Sequence, residues 1–140
     1  MRQFQSQFHV LWANLDPNFH VRHTVFSEYA SETRIAFFIK SGIFPDYLKE
    51  HNVGPILFHE EIHYYNEVFL GEILTVKCLV TSMSENASKI NVRNEIFTDN
   101  EKRVATIDST TMWLDLSTRK LVKPPAKVFE VFSQLAESSN

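Results

Sequence analysis

The sequence predicts an α+β fold in which an antiparallel sheet wraps around one long central helix, with a second helix at the C-terminus. An early segment, residues 24–42, carries apolar residues at helical spacing. Four later segments alternate between apolar and polar residues, and an amphipathic segment follows Pro124-Pro125. The turns between the later segments are short, which favours antiparallel neighbours. A long helix must cover its apolar face, and one sheet offers the surface to do so.

The composition limits the class of protein. The 140 residues are 44% hydrophobic and include 12 Phe, which predicts one packed domain over residues 1–140. The net charge of −3 provides no basic field for a polyanion, so we expect no nucleic-acid partner. The single Cys78 excludes an internal disulfide and suits a reducing compartment. No apolar run approaches the ~18 residues of a spanning helix, so we expect a cytoplasmic protein without a membrane span.

The N-terminal segment predicts a strand from about residue 3 to residue 13, because its residues alternate in character. The residues that share its apolar face are Phe4, Ser6, Phe8, Val10 and Trp12. A loop over residues 14–23 follows, and Pro17 fixes the backbone just after Asp16.

The central helix is predicted to begin at His23 or Thr24. Gly42 is a natural stop after its last turn, and a short helical segment, residues 45–51, comes next. The residues at the i, i+3, i+4, i+7 spacing of one buried face are Phe26, Tyr29, Ala30, Thr33 and Phe37.

The second half of the chain predicts a sheet. Residues 53–67 are expected to be extended, and residues 72–83, 89–99 and 103–116 are expected to be strands. The last strands carry no edge protection, so two copies are expected to pair edge to edge in a homodimer or homotetramer. The C-terminal amphipathic helix is predicted from Val128, Phe129, Val131, Phe132 and Leu135.

The loop before the central helix carries the first functional indication. A helix N-terminus has unpaired N–H groups and about half a positive charge. Asp16 lies a few residues ahead of this terminus. A carboxylate in that position can act on a carbonyl that the N–H groups polarise.

Residues 12–23, Trp-Ala-Asn-Leu-Asp-Pro-Asn-Phe-His-Val-Arg-His, resemble the hotdog-fold acyl-CoA thioesterases of the 4-hydroxybenzoyl-CoA thioesterase type. That family has an aromatic or apolar strand end, then Asp, often Asp-Pro, then Val and the central helix. Residues 65–72, Tyr-Asn-Glu-Val-Phe-Leu-Gly-Glu, resemble a second family segment, with Glu72 in place of the usual Asp. The predicted element order agrees over nearly the whole chain.

The resemblance implies a hotdog fold and hydrolysis of an acyl thioester of coenzyme A or of an acyl carrier. Asp16 matches the family's catalytic carboxylate, as nucleophile or as general base. His23 matches a position that is His in one branch and Tyr in another, and would orient the thioester or the water. Backbone N–H groups near His23 to Val25 are expected to hold the carbonyl oxygen, at a site on a subunit interface.

The resemblance also leads us to expect substrate contacts from His20, Thr24, Phe26, Tyr29 and Glu60. Lys89 and Arg93 are the nearest candidates for the phosphates of coenzyme A, because the turn before them, residues 85–87, carries no base. No cofactor and no metal are expected. Three departures from the family keep an alternative open. The turn has no basic residue, Asn14 stands where an acidic residue is common, and Phe19 stands where Gly is common. That alternative is a non-catalytic module that binds an acyl thioester or a lipid-like ligand.

Residues 59–63, His-Glu-Glu-Ile-His, match the zinc-protease pattern His-Glu-x-x-His. That chemistry needs a helix, because both His side chains must reach one metal from one face. On a strand, residues four apart are separated by about 13 Å. Gly54-Pro55 before the segment and Gly71 after it favour an extended conformation, and with it a chance match. Which of Glu60 and Glu61 faces a cleft stays open.

Overall fold

The structure is a computed structural model that describes residues 4–138. The predicted order of strands and helices is confirmed, and a 3-10 turn at Trp12–Asn14 is added. The strands are β1 (Phe4–His9), β2 (Val53–Tyr64), β3 (Ile73–Met83), β4 (Lys89–Thr98) and β5 (Arg103–Asp115). The helices are α1 (His23–Lys40), α2 (Asp46–Glu50) and α3 (Ala126–Ser138). None of the helices within the described range is long and apolar enough to cross a bilayer.

All neighbouring strands are antiparallel, in the order β1-β3-β4-β5-β2. The open edges of the sheet therefore belong to β1 and β2. The expectation that the last strands form the edge is wrong, because β5 pairs with β4 on one side and with β2 on the other. The His-Glu-x-x-His segment lies within β2, so its predicted extended conformation is confirmed.

The first strand is shorter than predicted, and its expected first residue, Gln3, lies outside the described residues. Strand β1 ends at His9, and Trp12, expected on the apolar face, is 71% exposed. The chain leaves the sheet because the Leu11 N–H donates to Asn14 Oδ1 at 2.8 Å, which holds a 3-10 turn in place of an extended backbone.

The buried face of α1 packs on the inner face of the sheet, as the helical spacing predicts. Its polar member, Thr33, donates its hydroxyl to the Tyr29 carbonyl at 2.8 Å. Helix α1 ends where predicted, because Gly42 adopts a φ of +76° and the Ile43 N–H closes back onto the Phe38 carbonyl. The residues of α1 in this core are Val25, Phe26, Tyr29, Ala30, Thr33, Phe37 and Phe38.

The C-terminal helix α3 closes one end of this core. Its buried residues are those predicted, except that Phe129 is 38% exposed. Phe132 packs edge-on against Phe37 and Phe38, and Trp113 of β5 lies beside them. The indole N–H of Trp113 donates to the Ala87 carbonyl at 2.9 Å in the buried turn before β4.

We expect Trp113→Phe to lower the free energy of unfolding by about 2 kcal/mol or more, because it leaves a buried carbonyl unpaired and a void beside α3. The chain has a second tryptophan, the exposed Trp12, and Trp12→Phe should change stability by no more than about 0.5 kcal/mol. Urea unfolding followed by circular dichroism measures both changes. Equal stability of the two variants would contradict the role given to the indole bond.

Candidate active site

The loop between the 3-10 turn and α1 is a small antiparallel turn. Leu15 and Val21 form an isolated β-bridge, and the Asp16 N–H donates to the His20 carbonyl at 2.9 Å. Phe19 closes the turn in the left-handed region, with a φ of 67°. This geometry places the side chains of Asp16 and His20 next to each other.

Both oxygens of the Asp16 carboxylate are held. Oδ1 accepts the N–H of Asn18 at 2.8 Å and that of His20 at 3.4 Å. Oδ2 lies 3.0 Å from Nδ1 of the His20 ring. The side chains of Asp16 and His20 are 21% and 27% exposed, so the pair is partly shielded but still reached by solvent.

The opposite nitrogen of His20 points to a second carboxylate. Nε2 lies 3.8 Å from Oε1 of Glu67, beyond hydrogen-bond distance. Nδ1 has a second neighbour, the Val21 carbonyl, at 3.4 Å. The sequence interpretation assigned His20 to substrate binding and gave His23, together with Asp16, a catalytic role in orienting the thioester or the water. In the structure, the imidazole within reach of Asp16 belongs to His20.

A cleft of about 330 Å³ opens beside this pair. His23, the first residue of α1, also lines it, and the His23 ring packs edge-on against Tyr64 with a centroid distance of 6.4 Å. Phe26 contacts the same tyrosine with a centroid distance of 6.0 Å. The lining residues are Asp16, His20, Val21, His23, Phe26, Tyr64, Tyr65, Asn66 and Glu67.

The start of α1 leaves hydrogen-bond donors free. The N-cap residue, Arg22, has an extended backbone, and no side chain caps the helix. The Val25 N–H already donates to the Arg22 carbonyl at 3.0 Å. Within residues 4–138, the N–H groups of His23 and Thr24 have no protein acceptor. Of the three backbone N–H groups expected to hold the carbonyl oxygen, those of His23, Thr24 and Val25, only the first two are therefore unbonded.

Asn14 and Arg22 fix this loop to the helix. The Arg22 N–H donates to the Asn14 carbonyl at 3.0 Å, and the Arg22 guanidinium donates to the Ala13 carbonyl and to the Thr24 hydroxyl. Asn14 Oδ1 also accepts the Tyr29 hydroxyl at 3.2 Å. Two predicted substrate contacts, Thr24 and Tyr29, thus hold the loop and do not line the cleft.

The other predicted substrate contact outside the cleft is Glu60, which is half-buried on β2 and pairs in register with Ser109. Burial lowers the pKa of Arg34 on α1, and the negative charge of Glu60 partly opposes this shift. Burial also raises the pKa of the Cys78 thiol to about 12, so this strand residue stays protonated and is a poor nucleophile.

The two predicted coenzyme A contacts also lie away from the cleft. Arg93 forms a bidentate ion pair with Asp108 on β5, with distances of 2.7 and 3.0 Å. Lys89 is exposed at the first position of β4. A cation that does contact the cleft wall is Arg103, whose guanidinium lies 4.5 Å from the ring centroid of Tyr65.

Sequence reasoning missed the second wall of the cleft, residues 64–67. Tyr65 begins the segment that resembles the family's second motif, and this was the only available signal for a site there. Arg103 was also missed, because its cation–π contact joins residues that are distant in the sequence.

The fold and the cleft define the class: a hotdog-fold protein with a cleft at the N-terminus of its central helix. Residues 10–132 match the family model described as the thioesterase-like superfamily. The chain belongs to this superfamily, and the family predicted from residues 12–23 and 65–72 is confirmed. The superfamily's description names the predicted enzyme class, a hydrolase acting on thioesters.

Solved structures share the hotdog fold, which confirms the predicted fold class. A 1,4-dihydroxy-2-naphthoyl-CoA thioesterase from Synechocystis aligns with a TM-score of 0.84 at 16% identity, over 95% of this chain and 97% of that chain. A probable thioesterase from Escherichia coli gives 0.83 at 22% identity, over 95% and 98%. A Staphylococcus aureus protein in complex with CoA gives 0.86 at 15% identity, over 94% and 85%. A search of curated proteins gives no match.

Proposed function

We propose that this protein is an acyl-CoA thioesterase, which hydrolyses an acyl thioester to a free acid and a thiol. The observation that carries the proposal is the presence, in and beside one cleft, of an oriented carboxylate and two unbonded N–H groups. The carboxylate is that of Asp16, and the N–H groups are those of His23 and Thr24.

The unbonded N–H groups suit the developing oxyanion. The thioester carbonyl oxygen would accept hydrogen bonds from His23 and Thr24, and the positive end of the α1 dipole would stabilise the charge that forms during attack. Asp16 would supply the reactive carboxylate, as nucleophile or as general base. The ring of His23, which also lines the cleft, would orient the thioester.

The cleft also offers apolar surface for the acyl group. The rings of Phe26 and Tyr64 contact each other, and both line the cleft together with Val21. Sites for small ligands commonly combine such apolar walls with a few polar groups. Aliphatic and aromatic acyl groups both remain possible substrates.

Coenzyme A is the thiol carrier that the comparisons favour, because one structural relative is described in complex with CoA. Arg93, predicted to contact the phosphates of coenzyme A, already forms an ion pair with Asp108. Arg103, which contacts Tyr65 in the cleft wall, is the better candidate for that phosphate contact. Among the described residues, no carboxylate lies within 4 Å of the Arg103 guanidinium. Its charge is therefore available to a phosphate at the mouth of the cleft.

A homodimer formed through β2 fits the open edge of the sheet. The outer edge of β2 has no strand partner within residues 4–138, and Leu57 and Phe58 on it are 53% and 62% exposed. A second copy paired there would lie along the strand that ends at Tyr64 in the cleft wall.

The single buried Cys78 fits a reducing compartment, which supports the predicted cytoplasmic location.

We expect Asp16→Asn to lower thioester hydrolysis at least ~100-fold, the scale of losing one transition-state group. The amide oxygen can still accept the Asn18 N–H, so the loop should keep its shape. Thiol release from short, long and aromatic acyl-CoAs measures the effect, with the exposed turn variant Asp99→Asn as the control. Full activity of Asp16→Asn would remove Asp16 from the mechanism. Tight acyl-CoA binding by the wild type with no thiol release would select the non-catalytic alternative.

Arg103→Ala should raise KM for acyl-CoA several-fold and leave kcat nearly unchanged, because the lost charge binds the carrier and not the reacting carbonyl. The matched substrate is the same acyl group on pantetheine, which lacks the nucleotide phosphates. Its KM should not change. An equal effect on both thioesters would show that Arg103 acts only by supporting Tyr65.

We expect light scattering to give a mass of two or four chains, each of 16.3 kDa, as for a homodimer or a homotetramer. Phe58→Lys should shift the protein towards the monomer, because a lysine on an edge strand opposes further pairing. Phe129→Lys on the exposed side of α3 is the control and should leave the mass unchanged. A monomeric wild type with full activity would exclude a site that requires two subunits.

A further inference from the structure

His20 lies in contact with Asp16 at the site, and the reaction proposed above leaves its role open. We propose that His20 is the general base, that its Nε2 removes a proton from the attacking water, and that Asp16 is a positioning residue. This inference rests on the proposed thioester hydrolysis and replaces both roles given there to Asp16, nucleophile and general base. It predicts that no covalent bond forms between Asp16 and the acyl group.

The neighbours of His20 determine its neutral tautomer. Nδ1 lies 3.0 Å from Asp16 Oδ2 and 3.4 Å from the Val21 carbonyl oxygen. Both neighbours are acceptors, so Nδ1 must carry the ring proton. In the neutral ring, Nε2 then has the free lone pair, as a base requires.

The same contacts argue against Asp16 as the nucleophile. Its Oδ1 accepts two backbone N–H groups, from Asn18 and His20, and its Oδ2 accepts the ring proton of His20. These bonds stabilise the carboxylate and reduce its tendency to attack a carbonyl. A carboxylate held in this way orients an imidazole and stabilises the imidazolium that forms during catalysis.

The free end of the ring is in a suitable place. His20 lines the cleft together with Glu67, whose Oε1 is 3.8 Å from Nε2. This separation is too long for a direct hydrogen bond, and a water can lie between the two groups.

The complete reaction balances. The water oxygen bonds to the thioester carbonyl carbon while Nε2 of His20 takes one of the water protons. The oxyanion of the tetrahedral intermediate accepts the N–H groups of His23 and Thr24. When the intermediate collapses, the carbon–sulfur bond breaks and the imidazolium gives its proton to the leaving thiolate. The products are the free carboxylic acid and the thiol.

His23, the histidine that the resemblance favours, does not have this arrangement. Its ring packs against Tyr64, and no carboxylate among the described residues lies within 4 Å of it. Nothing fixes its tautomer in the way that Asp16 fixes that of His20. We therefore keep His23 for orientation of the substrate.

The first test follows oxygen from water through a single turnover. Wild-type enzyme in excess over acyl-CoA reacts in H2-18O, and mass spectrometry analyses the acid and the peptide that contains Asp16. Direct attack by water places the label in the acid in the first turnover and leaves Asp16 unlabelled. An unlabelled acid with label in Asp16 would overturn the role of His20. Release of no thiol at all would instead mean that the proposed function has failed.

The second test removes the ring. His20→Ala should lower kcat at least ~100-fold with little change in KM, the lower scale of general-base catalysis. Added imidazole should restore much of the rate in a saturable manner, because it can fill the vacated space beside Asp16. A folded His20→Ala that keeps its kcat, or that imidazole does not rescue, would contradict the proposal.

A matched control and a tautomer measurement complete the design. His63 and Glu61 form another histidine–carboxylate pair at 3.0 Å on exposed positions of β2, outside the cleft lining. His63→Ala should keep the wild-type rate. Nitrogen-15 spectra of the His20 ring should show the proton on Nδ1 in the wild type and its loss from Nδ1 in Asp16→Asn. An unchanged tautomer in that variant would remove the positioning role of Asp16.

Discussion

Burial of one face of α1 against the sheet is the constraint on which the site depends. Phe26 and Phe37 lie in the core near opposite ends of this helix, and the packing between them fixes where its first turn emerges. That turn carries the unbonded N–H groups of His23 and Thr24. The helix thus supplies both a buried face of the core and, through its first residue, part of the cleft lining.

The connecting loop turns this general feature into a particular site. Asn14 forms hydrogen bonds with Arg22 and Tyr29 and so connects the loop to the helix. These bonds fix the position of the short turn that follows. The β-bridge between Leu15 and Val21 then places the side chains of Asp16 and His20 next to each other. Residues with no part in the proposed chemistry therefore determine the geometry of the carboxylate and the imidazole.

Periodicity predicted most of the fold, because burial of an apolar face leaves a direct record in the sequence. The spacing of Phe26, Ala30 and Phe37 gave the helix and its buried face. The departure of the chain after His9 was not predicted, because the alternation continues to Trp12 while a side-chain bond of Asn14 turns the backbone. A local hydrogen bond of this kind has no periodic signature.

The site was predicted only in part, for a similar reason. Asp16 could be predicted from its position before the helix and from the family resemblance. The choice of partner histidine depends on the left-handed turn at Phe19, which brings His20 and not His23 to the carboxylate. Pairs such as Arg103 with Tyr65 depend on strand register, which a single sequence does not specify.

Strand β2 is at once the open edge of the sheet and, through Tyr64, part of the cleft wall. Any molecule that adds to this edge therefore reaches the strand that shapes the ligand cavity. Thermodynamic linkage makes such an effect reciprocal: a ligand that binds the assembled form more tightly favours assembly by the same factor. Dilution would then lower the ligand affinity of each chain with no change in its sequence or its chemistry.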